Sequence, residues 1–209
     1  MYKNLKINLF LGLITVLLFN SLFMTTPFAQ DKQEIVVTIN GISSGDKMTH
    51  YNNGEELREQ KKFPEAIAEY RQVISDGELC GKEADAHYCI GICYLWLSKK
   101  DIAKGIFQEV IKTYPNDGEA VAFSNYSMSW IDVQRGNYYE AINRLQKVLD
   151  SNVYADAVFC SRALFQIGRI YSSFLQDQKN AEEVFRKLLT DFPDAEITNH
   201  PFLEKLKGN

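Results

Sequence analysis

Histidine is scarce in this chain of 209 residues: only His50, His87 and His200 occur. Scattered singly, they supply neither the converging donors of a zinc site nor the oriented base of a triad. His87 stands two residues before Cys89, about 200° around a helix, so the two do not share a face. No phosphate loop, dinucleotide fingerprint, haem-attachment sequence or recognisable pair of catalytic acids is present. Long runs of one charge are absent as well, and the formal net charge is −4. Phosphate backbones are held by clustered Lys and Arg, so nucleic acid is not an expected partner. Both signs alternate along helical stretches, as on an ordinary solvated face. The expectation is a chain with no catalytic residue, no metal and no cofactor.

A long hydrophobic run is also missing. The longest, residues 9–19, follows Lys3 and Lys6 and ends before Asn20 and Ser21. A spanning helix needs roughly 20 apolar residues, so this run fits an export signal better than a membrane span. Residues 1–29 are expected to be a signal peptide cut after Ala29, with contact to a membrane only through this segment if it stays uncleaved. Its removal deletes two lysines and no acid, leaving a mildly acidic mature chain. The expected location is the cell envelope or periplasm, or outside the cell. No cysteine adjoins the cut, so lipid attachment there is not supported.

Cysteine is limited to Cys80, Cys89, Cys93 and Cys160. An exported chain with four thiols invites a disulfide reading with three complete pairings. Cys89 and Cys93 lie four apart on a helical pattern, where the Cβ atoms are too distant for unstrained bridging. Buried thiols acting as small apolar side chains are the first reading, one structural bridge the second.

Strand-like sequence is confined to residues 34–40, EIVVTIN, followed by the turn-like GISSG of residues 41–45. A lone strand has no sheet to join, so residues 30–47 read as a flexible lead-in. The same GISSG matches a nucleophile elbow with Ser43 as nucleophile, and His50 is close in sequence. An elbow works at the edge of a parallel sheet that also presents an acid and an oxyanion hole, and no further strands follow. A serine hydrolase is therefore the least favoured reading.

What the chain has instead is helical periodicity from residue 48 to the end. Apolar residues recur at three and four, as in Phe63, Ile67, Tyr70 and Ile74, with breaks at residues 76–77, 115–118 and 150–152. A phrase repeats inside this region. One copy reads Ile90-Gly91, Tyr94, Ala103, Phe107, Pro115, and another Leu164, Ile167-Gly168, Tyr171, Ala181, Phe185, Pro193. Weaker copies run through Gly54, Leu57, Phe63, Ala66 and Tyr70, and through Gly136, Tyr138, Ala141, Leu145 and Val148. In the latter Asp132 stands where the others have an aromatic or leucine, leaving the register of its first helix open. These residues resemble the tetratricopeptide repeat family, in the form found in exported bacterial envelope proteins. The resemblance implies an all-α fold, a right-handed α-α superhelix of about four helical hairpins over residues 48–209. Gly91 and Gly168 would allow close approach within a hairpin, and Phe202, Leu203 and Leu206 would form a C-terminal cap.

In the resembled family the first helix of each pair lines the concave face. Carried onto this sequence, that face comprises Tyr88, Ile92, Leu95, Trp96, Phe123, Tyr126, Trp130 and Val133, an apolar and aromatic strip. Arg162, Phe165, Gln166, Arg169 and Ser172 form a more polar patch. The implied partner is a protein or peptide segment, with aromatics as anchors and Arg162 or Arg169 pairing a carboxylate. Aromatic stripes at helical spacing also build cores, so the strip has two readings. Two functions follow: an interaction scaffold of the envelope, or a structural auxiliary subunit of an exported enzyme complex. Oligomeric state is not legible.

Overall fold

A computed structural model describes residues 47–75, 81–151, 157–200 and 203. The chain divides into two units, Met1–Gly45 and Asp46–Asn209. The first unit lies outside the described residues, and with it the expected signal peptide, the strand-like run and Ser43. So do Cys80, Phe202 and Leu206.

The second unit is all-helical among the described residues. Its helices are α1 (Lys47–Glu59), α2 (Phe63–Ser75), α3 (Glu83–Trp96), α4 (Lys100–Thr113), α5 (Gly118–Gln134), α6 (Tyr138–Asp150), α7 (Ala157–Arg169) and α8 (Gln178–Asp191). The π-helical turn Ile170–Phe174 continues α7, and a 3-10 turn, Glu196–Asn199, follows α8. Each helix packs on the next, and α3 also lies against α5, which is the stacking of successive hairpins in a solenoid. No helix among the described residues is long and apolar enough to cross a membrane.

The sequence dictates the hairpins locally. Pro64 sits in the first turn of α2, where its missing N–H goes unneeded. Asp117 and Asp177 cap α5 and α8, their carboxylates accepting from Ala120 N at 3.0 Å and Asn180 N at 3.1 Å. Each helix pair is joined by a tight turn with one residue at positive φ: Lys61, Ser98, Gly136 and Gln176. Three of these four carry side chains, a conformation that costs about 1 kcal/mol or more each.

Glycine is required where the two helices of a hairpin meet. A Cβ on Gly54, Gly91 or Gly168 would fall within 3.0 Å of three ring carbons of Tyr70, Phe107 or Phe185 respectively. Ala66, Ala103, Ala141 and Ala181 are fully or almost fully buried on the facing helices. In the third hairpin Ser129 and Leu145, both buried, take the places of glycine and the ring. A smaller partner leaves room for a hydroxymethyl group, so the register of α5 is kept.

Asp132 settles that register from the other side. At the place of Tyr94 and Tyr171 it is fully buried, and its carboxylate accepts from Lys104 Nζ at 2.6 Å and Arg144 Nε at 2.7 Å. One anion thus ties α5 to α4 and α6. Two cations share the desolvation that would leave a lone buried carboxylate unstable.

The C-terminal end is covered. Leu203 is fully buried in a cluster with Leu164, Phe165, Phe185 and Leu188, and Ile197 packs against it. The 3-10 turn Glu196–Asn199 that precedes it is closed by Thr198, whose hydroxyl donates to the Pro193 and Ala195 carbonyls.

Candidate concave binding face

The first helices α3, α5 and α7 carry a continuous ladder of rings. Tyr88 stacks on Phe123 at 5.5 Å, Phe123 meets Phe159 edge-on at 4.9 Å, and Phe159 lies 5.0 Å from Tyr126. All four rings are half-buried. The Tyr88 hydroxyl and Ser127 Oγ are hydrogen-bonded at 3.2 Å, and burial pushes the Tyr88 phenol up to about 12. Such geometry serves cohesion between hairpins while leaving ring edges for a ligand.

Two tryptophans stand clear of the ladder. Trp96 is 68% exposed and stacks on Phe63 at 6.4 Å; Trp130 is 47% exposed, with Lys100 Nζ 5.5 Å from its ring. Lys100 also donates to Gln134 Oε1. An exposed ring of this size held by a neighbour is poised to bury area on a partner at small entropic cost.

Of the thirteen residues expected on this face, twelve reach the surface at least in part. Ile92, Leu95 and Val133 are half-buried, and Arg162 and Arg169 are exposed. Phe165 is the exception at 4% exposure, because His200 covers its ring at 4.9 Å and Phe185 lies beneath at 6.0 Å. It occupies the register position of Tyr88 and Tyr126, but the C-terminal segment packs on it as a following hairpin would. Tyr126, Trp130, Val133 and Arg169 converge on one cavity of about 530 Å³. Phe159 and Phe174 were missed by sequence reading. Phe159 shares a helix face with Arg162, three residues on, a signal that was available. Phe174 is brought in by the π-turn, which leaves no motif.

The first hairpin presents a polar counterpart. Tyr70 Oη donates to Glu55 Oε1 at 2.5 Å, Arg58 Nη2 to Glu55 Oε2 at 2.5 Å, and Cys89 Sγ to Glu55 Oε1 at 3.6 Å. Burial pushes the Glu55 carboxyl up, but the hydrogen bonds from Arg58 and Tyr70 outweigh it and hold the group below its ordinary range. Cys89 and Cys93 are buried thiols, each pushed up to about 12 by burial, which makes them poor nucleophiles. Cys160 is buried too. His50 Nδ1 lies 2.7 Å from Glu69 Oε2, so this histidine is engaged in joining α1 to α2. No group of three or more potential metal ligands converges among the described residues.

The family model of the tetratricopeptide repeat matches residues 85–117 and 162–195, the second and fourth hairpins. Those two stretches are tetratricopeptide repeats. The helical part of the chain resembles two solved structures: the MamA RS-1 ArsTM double mutant, and MamA 41-end from Desulfovibrio magneticus RS-1. The first is 21% identical, with 79% of this chain and 86% of that chain covered and a TM-score of 0.57. The second is 21% identical over the same 79% and 86%, with a TM-score of 0.55. At this identity the likeness speaks for the fold. No curated protein matches the chain. Tetratricopeptide solenoids in general present extended concave surfaces to protein partners, and this chain shares that architecture.

Proposed function

We propose that this tetratricopeptide chain is a non-catalytic scaffold of the cell envelope, exported by residues 1–29, that binds a segment of a partner protein along α3, α5 and α7. The observation that carries this reading is the pair of large exposed rings, Trp96 and Trp130, flanking a shared aromatic ladder. A monomer gains nothing by holding an indole 68% in water. Bound partners of solenoids bury such rings as anchors and surround them with weaker contacts. Arg162 and Arg169 supply the cationic end of the groove.

Affinity capture from the native envelope tests the groove. Trp96→Ala and Trp130→Ala are expected to keep the melting temperature within a few degrees while abolishing recovery of the partner. Unfolding of both variants would instead place the rings in the core and end this reading. Intact-mass measurement of chain recovered from the envelope tests export, the expected mass being that of residues 30–209.

A further inference from the structure

The four hairpin turns give a ruler for the first helices. From Gly54 to Lys61, Gly91 to Ser98 and Ser129 to Gly136 the step is seven residues; from Gly168 to Gln176 it is eight. The additional residue is absorbed by the π-helical turn Ile170–Phe174, closed by Leu175 N donating to Ile170 O at 3.1 Å. A π-turn disrupts the regular ladder of hydrogen bonds and is found often at functional sites, where it re-aims side chains. Here it delivers Ile170, buried, and Phe174, 42% exposed, into the 530 Å³ cavity that Trp130 and Tyr126 also line. Phe174 is held there by stacking on Tyr138 at 4.9 Å.

The charge around this cavity is one-sided. None of its lining residues is acidic, and its charged lining residue is Arg169. Lys100 stands over the Trp130 ring at 5.5 Å. Burial pushes the Tyr126 phenol up, and the Gln166 hydrogen bond with the Arg162 and Arg169 charges opposes that rise. The nearby Asp132 is committed to Lys104 and Arg144. Aromatic walls alone would suit a quaternary ammonium, but the adjacent cations oppose one.

We infer that this cavity is the anchor pocket of the groove, taking one large apolar side chain of a partner peptide that carries an acidic residue beside it. The inference rests on the groove reading above and narrows it to one ligand chemistry.

The test selects a phage-displayed library of random twelve-residue peptides on the full chain, followed by calorimetric titration of a selected peptide. The expected consensus is Phe, Leu or Trp next to Asp or Glu. Binding should weaken about tenfold or more with Phe174→Ala, with Arg169→Glu, and on deletion of Ser173. That deletion restores the seven-residue step that the other three hairpins use. Should the shortened chain not fold by circular dichroism, the two substitutions at exposed positions carry the test. Peptides that respond to Trp96→Ala but not to Phe174→Ala or Arg169→Glu would overturn the pocket and leave the groove standing. A lysine- or arginine-rich consensus would overturn the ligand chemistry, and a library without any binder would overturn pocket and groove together.

Discussion

The second and third hairpins follow one backbone plan with different fillings. In the second, Gly91 admits the Phe107 ring and Tyr94 is buried beside it. In the third, Ser129 faces Leu145, and Asp132 replaces the tyrosine with two cations around it. His87, before Tyr88 in α3, corresponds to Asn125 in α5, whose amide donates to Val121 O at 3.0 Å. The difference teaches that the solenoid specifies volumes and positions, and that a dry junction and an ionic one can satisfy the same geometry.

The largest effect is expected at the ionic junction. Asp132→Ala takes the buried anion from between Lys104 and Arg144 and leaves Arg144 with Glu140 alone, at a cost of about 3 kcal/mol. Urea unfolding measures it, and a loss below about 1 kcal/mol would mean that the network does not hold the third hairpin.

Next comes the dry junction. Gly91→Ser should cost about 1–3 kcal/mol, because the added atoms meet the Phe107 ring. Gly91→Ser combined with Phe107→Leu copies the third hairpin, and the double variant should be more stable than the sum of the single losses predicts. Strict additivity in the double-mutant cycle would refute the idea that the pairs are interchangeable.

The turns separate the hairpins more gently. Gly136 has φ 77° where Ser98 has φ 60°. Gly136→Ala should destabilise by about 1 kcal/mol, and Ser98→Gly should stabilise by a smaller amount, its relief of strain offset by a freer unfolded chain. Opposite signs in matched thermal melts are the expected result.

The smallest effect is the pH dependence that His87 of the second hairpin contributes. His87 is lowered from its ordinary value by burial, with Arg71 adding to that and Glu109 Oε2, 3.8 Å from its Nε2, opposing it; its ring meets Tyr114 edge-on. A depressed folded pKa means that the stabilising share is complete above the unfolded value of about 6.5, and is lost as pH falls below that and through the folded value. The denaturation midpoint should therefore drop from pH 7.5 to pH 5 by more in the native chain than in His87→Phe. Equal drops would show that other groups carry the acid sensitivity.

Much of this was legible beforehand. The recurring Gly, Ala and aromatic residues announce four hairpins because close packing permits few volumes at each position, and volume is written in residue type. Twelve of the thirteen expected groove residues reach the surface for a related reason: helical phase alone tells which side chains share a face. Phe165 escaped that rule because its burial depends on the C-terminal segment, a neighbour that phase does not reveal.

The chain's own residues thus determined the helical class, the number of hairpins and the glycine sites, all consequences of local periodicity and steric size. Tertiary structure alone decided that Asp132 sits between two cations, that Phe165 is capped, and that the additional residue before the last hairpin turn is taken up by a π-turn aiming Phe174 into a cavity. Those outcomes depend on atoms brought together from distant segments, whose charges and volumes act only once the hairpins have stacked.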